Sequence, residues 1–292
     1  MNYIKWSNEL ELGVPFIDSD HRVLIRLLNQ VAACIEANEE TTVLGSVISS
    51  LADYTIYHFE REERFQEMAN HSGLSEHKER HAELAQKVEA YKDSFLADPQ
   101  NFSGKELLTF LSKWLTDHIL GDDAQLCRDC MGNTKAQLAA TQITLDGQYH
   151  LDWATQRVLV VEDNPNFQKL LTTVLKAGGI NRIQLAGDPY NAIDRLSRAP
   201  VDLVLSDVLM DGMTGGDLAR QAFTIDPKVK IVFLSGLDES TARERTGSVS
   251  HDAYIEKPIT PHRLFETMAY VLSNAAPPVS AMKTGGAALE AI

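Results

Sequence analysis

Residues 77–81 read HKERH, two histidines four apart in a run of charges. At helical pitch, residues four apart stand one turn above the other on the same face. Two imidazoles aimed the same way suit a metal, and they equally suit a hydrated helix face, so the surrounding chain has to decide. Residues 75–95 keep an amphipathic spacing up to the breaker stretch ADPQNFSG. Helical spacing also fills VLIRLLNQVAACI, with Ser19 or Asp20 as the expected N-cap. It fills VLGSVISSLADYTIYHFEREERF, between about Thr42 and Ala69, and KELLTFLSKWLTDHIL from Gly104. Four such helices with short connections predict an all-α, up-down antiparallel bundle. The preceding IKWSNELELGVPFID lacks that spacing and is expected to lie across the bundle as an arm.

Beyond residue 156 the period changes. RVLVVED, VDLVLSD, KIVFLSG and AYIEKP are short, nearly continuous apolar runs that end abruptly in polar residues, and IQLAGD (183–188) is a further expected strand. Amphipathic stretches such as FQKLLTTVLKAGG and NAIDRLSRA separate them. Strands alternating with helices predict an α/β doubly wound parallel sheet, covered on both faces. The expected organisation is a bundle over 1–130, a partly helical linker over 131–155, the α/β domain over 156–273 and a disordered tail over 274–292. The tail is small-residue, Pro- and Gly-rich.

With 292 residues, 44% of them hydrophobic and 23% charged, the chain has material for two buried cores. A net charge of -14 leaves no basic patch to neutralise phosphates, so no direct nucleic-acid binding is expected. No run of about 18 apolar residues occurs, so no membrane span is expected. The start, MNYIKWSNELELG, has no basic-then-apolar pattern of a secretory signal. Three cysteines cannot build a disulfide framework, and a cytoplasmic location fits them.

Six of the nine histidines fall between residues 21 and 118. The first helix offers His21, the second His58 with Glu62, the third His77 and His81, and the fourth His118 with Asp123. In a four-helix bundle those faces meet in the core. Five imidazoles and two carboxylates buried without a cation are costly to desolvate. Seven protein ligands exceed one zinc site and suggest two metals. Imidazole and carboxylate without thiolate favour iron, with manganese and zinc left open.

The set IDSDH, HFEREE, HKERH and HILGDD, with Trp6 upstream and Trp114 four residues before His118, resembles the bacterial hemerythrins over residues 1–126. The resemblance implies a non-haem di-iron centre that binds O2 reversibly. It implies that His77, His81 and His118 ligate one iron, that His21 and His58 ligate the other, and that Glu62 and Asp123 bridge. With about six positions per iron and a solvent-derived bridge, the three-histidine iron is full and the two-histidine iron keeps one position for dioxygen. Asp20 stands where the family commonly has glutamine, which alters the surroundings of the site but removes no ligand.

In the second half, Glu162 and Asp163, then Asp207, Ser235 and Lys257, all fall at carboxyl ends of expected strands, where open α/β sheets place their sites. Converging carboxylates call for a cation, and Mg2+ suits few carboxylates with retained waters. A lysine and a hydroxyl beside them can hold a phosphoryl group. This order resembles the receiver domain of two-component response regulators, a flavodoxin-like fold, over residues 156–273. The resemblance implies that Asp207 is the phospho-acceptor and that Glu162, Asp163, Asp207 and the backbone of Leu209 hold magnesium. It further implies that Lys257 contacts the phosphoryl group while Ser235 and Tyr254 form the switch. Asp211 replaces the proline usual after the methionine of the loop beyond the acceptor.

Cys127 and Cys130, three apart near the end of the fourth helix, read as two reduced thiols or as a redox pair. The whole predicts an oxygen- or redox-responsive signalling protein in a phosphorelay, not itself an enzyme. Its expected partners are a sensor histidine kinase or phosphotransfer protein and a downstream protein effector. The iron state is expected to reach the receiver through residues 131–155, and receivers often dimerise through the final helix, so a homodimer is also an expectation. The alternatives are an oxygen or iron carrier tethered to a signalling complex, and a di-iron peroxide or nitric oxide reductase.

Overall fold

Proline at the first helical position sets where the bundle begins. In this computed structural model, which describes residues 3–246 and 251–273, α1 spans Pro15–Glu36. The expected caps, Ser19 and Asp20, therefore lie inside the helix. Pro15 fixes φ and lacks the N–H that a first turn leaves unpaired. Asp18 captures the free amides just ahead, with Leu12 and Gly13 donating to its carboxylate at 2.7 and 3.0 Å. PFID thus belongs to the helix, and only residues ahead of it form an arm. That arm follows α1: Asn29 binds the backbone of Tyr3 and Ile4, and Arg22 lies over the Trp6 ring at 4.2 Å.

The other bundle helices are α2 (Thr41–Ala69), α3 (Leu74–Ala97) and α4 (Gly104–His118). Asn70, left-handed at φ 55°, ends α2, and the Ser103 hydroxyl accepts the Glu106 amide at 3.4 Å to cap α4. α2 packs against α1 and α3, and α1 against α4. Leu24, Leu27, Leu28, Ile48, Leu107 and Leu115 are fully buried between them, each contributing about 1.5–3 kcal/mol by burial. A π-helical turn, Ile119–Asp123, follows α4 and runs straight into α5 (Ala124–Cys130).

The segment 131–155, expected as a partly helical linker, is helical over part of its length. α6 (Thr134–Ala140) packs on α2, with Ala136 and Ala140 beside Phe65, and the Tyr57 hydroxyl donates to the Ile143 carbonyl at 3.2 Å. In the second unit, Asp146 is buried and accepts the Leu151 amide and the Trp153 indole N–H, at 2.8 and 3.1 Å. Trp153 meets Phe265 edge to face at 4.9 Å.

The second unit has strands β1 (Arg157–Val161), β2 (Arg182–Ala186), β3 (Leu203–Asp207), β4 (Lys230–Ser235) and β5 (Ala253–Glu256). All pairs are parallel, in the order β2-β1-β3-β4-β5. Crossovers are α7 (Pro165–Ala177), α8 (Pro189–Arg198), α9 (Gly215–Ile225) and α10 (Glu239–Thr246), and α11 (Pro261–Ser273) closes the described chain. β1, β3 and β4 are buried along almost their whole length, which is why their sequences run apolar without alternation. The strand order reverses between β1 and β3, so their carboxyl ends open a crevice. The tail 274–292, expected to be disordered, lies outside the described residues.

Candidate metal centre and phosphorylation site

Seven ligand-type side chains converge inside the bundle. His21 comes from α1, His58 and Glu62 from α2, His77 and His81 from α3, His118 from the end of α4 and Asp123 from the π turn. None is more than 5% exposed. Glu62, His77, His81 and His118 bring ligand atoms within 4.8 Å of one another, and so do His58, Glu62, His118 and Asp123. The Nε2 atoms of His77 and His81 approach to 2.7 Å. His118 Nε2 lies 3.1 Å from Asp123 Oδ1, and His21 Nε2 lies 3.0 Å from Asp123 Oδ2.

Hydrogen bonds do not explain this cluster. By hydrogen-bond geometry, both nitrogens of His21 and of His58, both oxygens of Glu62 and of Asp123, and Nε2 of His118 have no partner among the described residues, although His21 and His118 abut the Asp123 oxygens as ion-pair contacts. Buried polar atoms normally find partners, and orphaning one costs about 1–3 kcal/mol. A cation can satisfy one nitrogen of each ring and the carboxylate oxygens that gather with it. The electrostatics are mixed: burial opposes charge on His118, but Asp123, Asp122 and Glu62 by themselves raise its pKa to about 9. Burial alone would raise the Asp123 carboxyl, but the imidazoles of His118, His21 and His58 hold it well below the usual carboxylate range. Burial pushes the His81 imidazole down to about 2 and keeps it neutral, as a ligand must be.

The second constellation sits at the carboxyl ends of the strands. Lys257 Nζ is the hub, 2.8 Å from Asp207 Oδ2, 3.2 Å from Glu162 Oε2 and 3.8 Å above the Phe167 ring. Burial raises the Glu162 carboxyl to about 7, with Lys257 pulling it down and Asp207 pushing it up. Burial opposes the charge on Lys257, but Asp207 and Glu162 outweigh it and raise its pKa. The Leu209 amide donates to Asp207 Oδ1 at 3.1 Å. Ser235 is buried and its hydroxyl accepts the Leu237 amide at 3.2 Å, while the Tyr254 hydroxyl donates to the Leu237 carbonyl at 2.7 Å. Asp163 is exposed. Among the described residues, three or more ligand atoms gather within 4.8 Å only in the bundle, so Glu162, Asp163 and Asp207 do not form such a group.

The model of the hemerythrin HHE cation-binding domain family matches residues 12–128, and that of the response regulator receiver domain matches residues 158–269. A bacteriohemerythrin of Stenotrophomonas maltophilia is 34% identical over 123 residues, which cover 42% of this chain and 78% of that protein. One of Pseudomonas aeruginosa is 32% identical over 124 residues, covering 42% and 79%. The response regulator receiver protein CpdR of Brucella abortus is 35% identical over 81 residues, covering 28% of this chain and 67% of that protein. The chain belongs to the hemerythrin family by its first domain and to the receiver family by its second.

The hemerythrin domain contains features that the sequence reading missed. His118 and Asp123 are five residues apart, which on an α-helix separates them by about 140° around the axis. The π turn, with its i→i+5 bonds, returns both to one face; the HILGDD spacing was the available signal. Carboxylates also stand behind three rings. Glu63 Oε1 lies 2.9 Å from His81 Nδ1, and Asp122 and Asp20 lie 3.7 Å from Nδ1 of His118 and His58. At hydrogen-bond distance, Glu63 fixes the orientation and tautomer of the His81 ring, while Asp122 and Asp20 act on theirs by charge. Asp20, in the position where the family commonly has glutamine, is tied down by Arg61 at 2.6 and 2.7 Å and by the Tyr54 hydroxyl at 2.9 Å. The departure is thus built into a buried ion pair, legible only once Arg61 and Asp20 are seen to face each other.

Cys127 and Cys130 are free thiols in an apolar cluster with Val14, Ile17, Phe65 and Leu126. Burial raises both, which removes the thiolate that redox exchange requires. In the receiver domain, the Lys257–Pro258 peptide is cis. Asp211 is exposed and precedes Gly212, whose φ of 81° suits glycine. Gly215 begins α9 where a Cβ would sit 2.7 Å from the Asp207 carbonyl, so the acceptor loop can close against that helix. No helix among the described residues is long and apolar enough to cross a membrane.

Proposed function

We propose that the protein is an oxygen-responsive signalling protein in which a di-iron centre in the hemerythrin domain biases phosphorylation of Asp207 in the receiver domain. A hemerythrin domain joined to a receiver is the composition of a signalling fusion. The first implies iron, and the second implies a histidine kinase or phosphotransfer partner. The observation that carries the reading is the set of orphaned nitrogens and oxygens on His21, His58, Glu62, His118 and Asp123. The residues fit two irons. His77, His81 and His118 would hold one, His21 and His58 the other, with Glu62 and Asp123 shared. Bound there, the irons supply redox-active cations and one position for dioxygen. Glu63 holds the His81 ring by a 2.9 Å contact, and Phe59 stacks on that ring at 3.7 Å.

In the receiver domain, Asp207 is the carboxylate positioned to attack the phosphorus of a phosphohistidine. Lys257 pairs with it beforehand and then neutralises the transferred phosphoryl oxygens. Glu162, Asp163, Asp207 and the Leu209 backbone would share a magnesium ion. Ser235 and Tyr254 already meet through Leu237, which gives the phosphoryl group a path to a side chain on the last strand. With no turnover of its own, the protein passes its signal on by protein contacts.

The test is iron content per chain with a visible spectrum, on protein reduced without air and then exposed to it. About two irons, with a charge-transfer band that appears with oxygen and leaves on its removal, support the di-iron reading; absence of iron or of the band ends it. Phosphorylation by acetyl phosphate with magnesium is then timed in both states. Equal rates would sink the coupling.

A further inference from the structure

A cavity of about 410 Å³ opens between α3 and α4, on the back of the metal centre. Its lining includes two of the expected ligands, His81 and His118, and its apolar wall is Leu84, Phe110 and Trp114. Trp114 lies over His118 with ring centroids 5.2 Å apart and planes at 23°. It meets Phe59 edge-on at 6.0 Å, and Phe59 in turn stacks on His81. A continuous aromatic wall therefore joins the cavity to two ligand rings.

Under the di-iron reading, on which this inference rests, His81 and His118 belong to the iron whose positions are all filled. A molecule in the cavity gains no coordination position there. What the stacked rings offer it is electronic contact. The cavity has the size of an ordinary small-molecule site, and its aromatic wall selects a planar ring system. At the rim, Arg80 is paired with Asp122 at 3.0 Å and Lys113 with Asp117 at 2.6 Å. Glu83 and Lys87 also line the cavity, an acid and a base with no ion-pair partner among the described residues, so the rim is neutral overall and Lys87 is its one unpaired cation. Two ferric ions would take up two electrons in all, which one dihydroflavin carries.

We propose that this cavity is the electron-entry site of the centre and that its occupant is a reduced flavin. The dihydroflavin gives one electron to each of two ferric ions through Trp114 and His118. It leaves as oxidised flavin, its two protons pass to solvent, and both irons become ferrous. No bond to iron forms or breaks.

Two measurements on the full chain test this. Oxidised flavin mononucleotide is first titrated while tryptophan fluorescence is read, with no iron required. Saturable quenching that disappears in Trp114→Leu is expected, Trp6 and Trp153 supplying the background. Quenching that is absent, or unchanged in the variant, overturns the site. Air-oxidised, iron-loaded protein is then mixed anaerobically with the reduced flavin and the loss of ferric absorbance is timed. The rate is expected to saturate with flavin and to fall about tenfold in Trp114→Leu, with Trp114→Phe between them and reduction by dithionite equal in all three. A linear, variant-independent flavin rate overturns electron entry while dithionite still bleaches the protein. No ferric absorbance to bleach means that the di-iron reading has failed instead, and the fluorescence titration still decides whether the cavity binds flavin.

Discussion

The two sites of this chain are built on opposite electrostatic plans. In the hemerythrin domain seven ligand-type groups lie at 5% exposure or less, and many of their atoms have no partner. In the receiver domain the acidic residues surround a cation that the protein itself supplies, Lys257, within 2.8 Å of Asp207 and 3.2 Å of Glu162. The first site gathers buried ligand atoms able to hold a metal, and the second is bridged by the protein's own lysine. A permanent cofactor can be demanded by burial, whereas a site that gains and loses a phosphoryl group has to be stable in its empty state.

The contrast breaks first on metal removal. Chelating the iron-loaded chain is expected to lower the melting temperature of the hemerythrin domain by about 10–20 °C, since a tightly bound ligand contributes about 4 kcal/mol or more. The receiver transition should not move, and differential scanning calorimetry with and without chelator reads both. A common shift of the two transitions would argue that they are not separate. In the receiver domain, Asp207→Asn should abolish incorporation of phosphate from acetyl phosphate, and Lys257→Ala should slow it by about 10²–10³, the usual loss for one charge-stabilising donor. Intact-mass spectrometry over time follows both.

Two smaller effects sharpen the comparison. Asp20→Ala leaves Arg61 unpaired in the hemerythrin interior and should cost about 3 kcal/mol in urea unfolding, as for a broken buried pair. A cost below about 1 kcal/mol would place that pair among surface ion pairs. Gly178→Ala would drive a Cβ into the tip of the Phe265 ring and should destabilise the receiver domain by about 2 kcal/mol, leaving iron binding unchanged.

Much of both sites was legible in the chain because side-chain chemistry repeats at helical or strand spacing. His77 and His81 announce a helix face on their own, and Asp207 after LVLS announces a strand end. The start of α1 was misread because Ser19 looks like a cap, while Pro15 and the Asp18 carboxylate settle the boundary through backbone geometry. Segment 131–155 reads as a partly helical linker, but its short pieces carry too little periodicity to show what they pack on; Ala136 and Ala140 lie beside Phe65, and Trp153 meets Phe265. Glu63 and Asp122 were invisible as outer partners, being ordinary acids among many until a ring nitrogen faces them.

By itself, the sequence determined the two fold classes, the seven ligand candidates and the carboxylates, serine and lysine of the receiver, since hydrophobic period and residue chemistry are local properties. The tertiary structure alone decided that the lone pairs of His21, His58, Glu62 and Asp123 go unpaired, and that a π turn brings His118 and Asp123 to one face. It also decided that Arg61 answers Asp20, that Lys257 holds the empty acceptor site, and that Trp114 joins an open cavity to His118. These depend on distances between residues far apart in the chain, which only packing fixes.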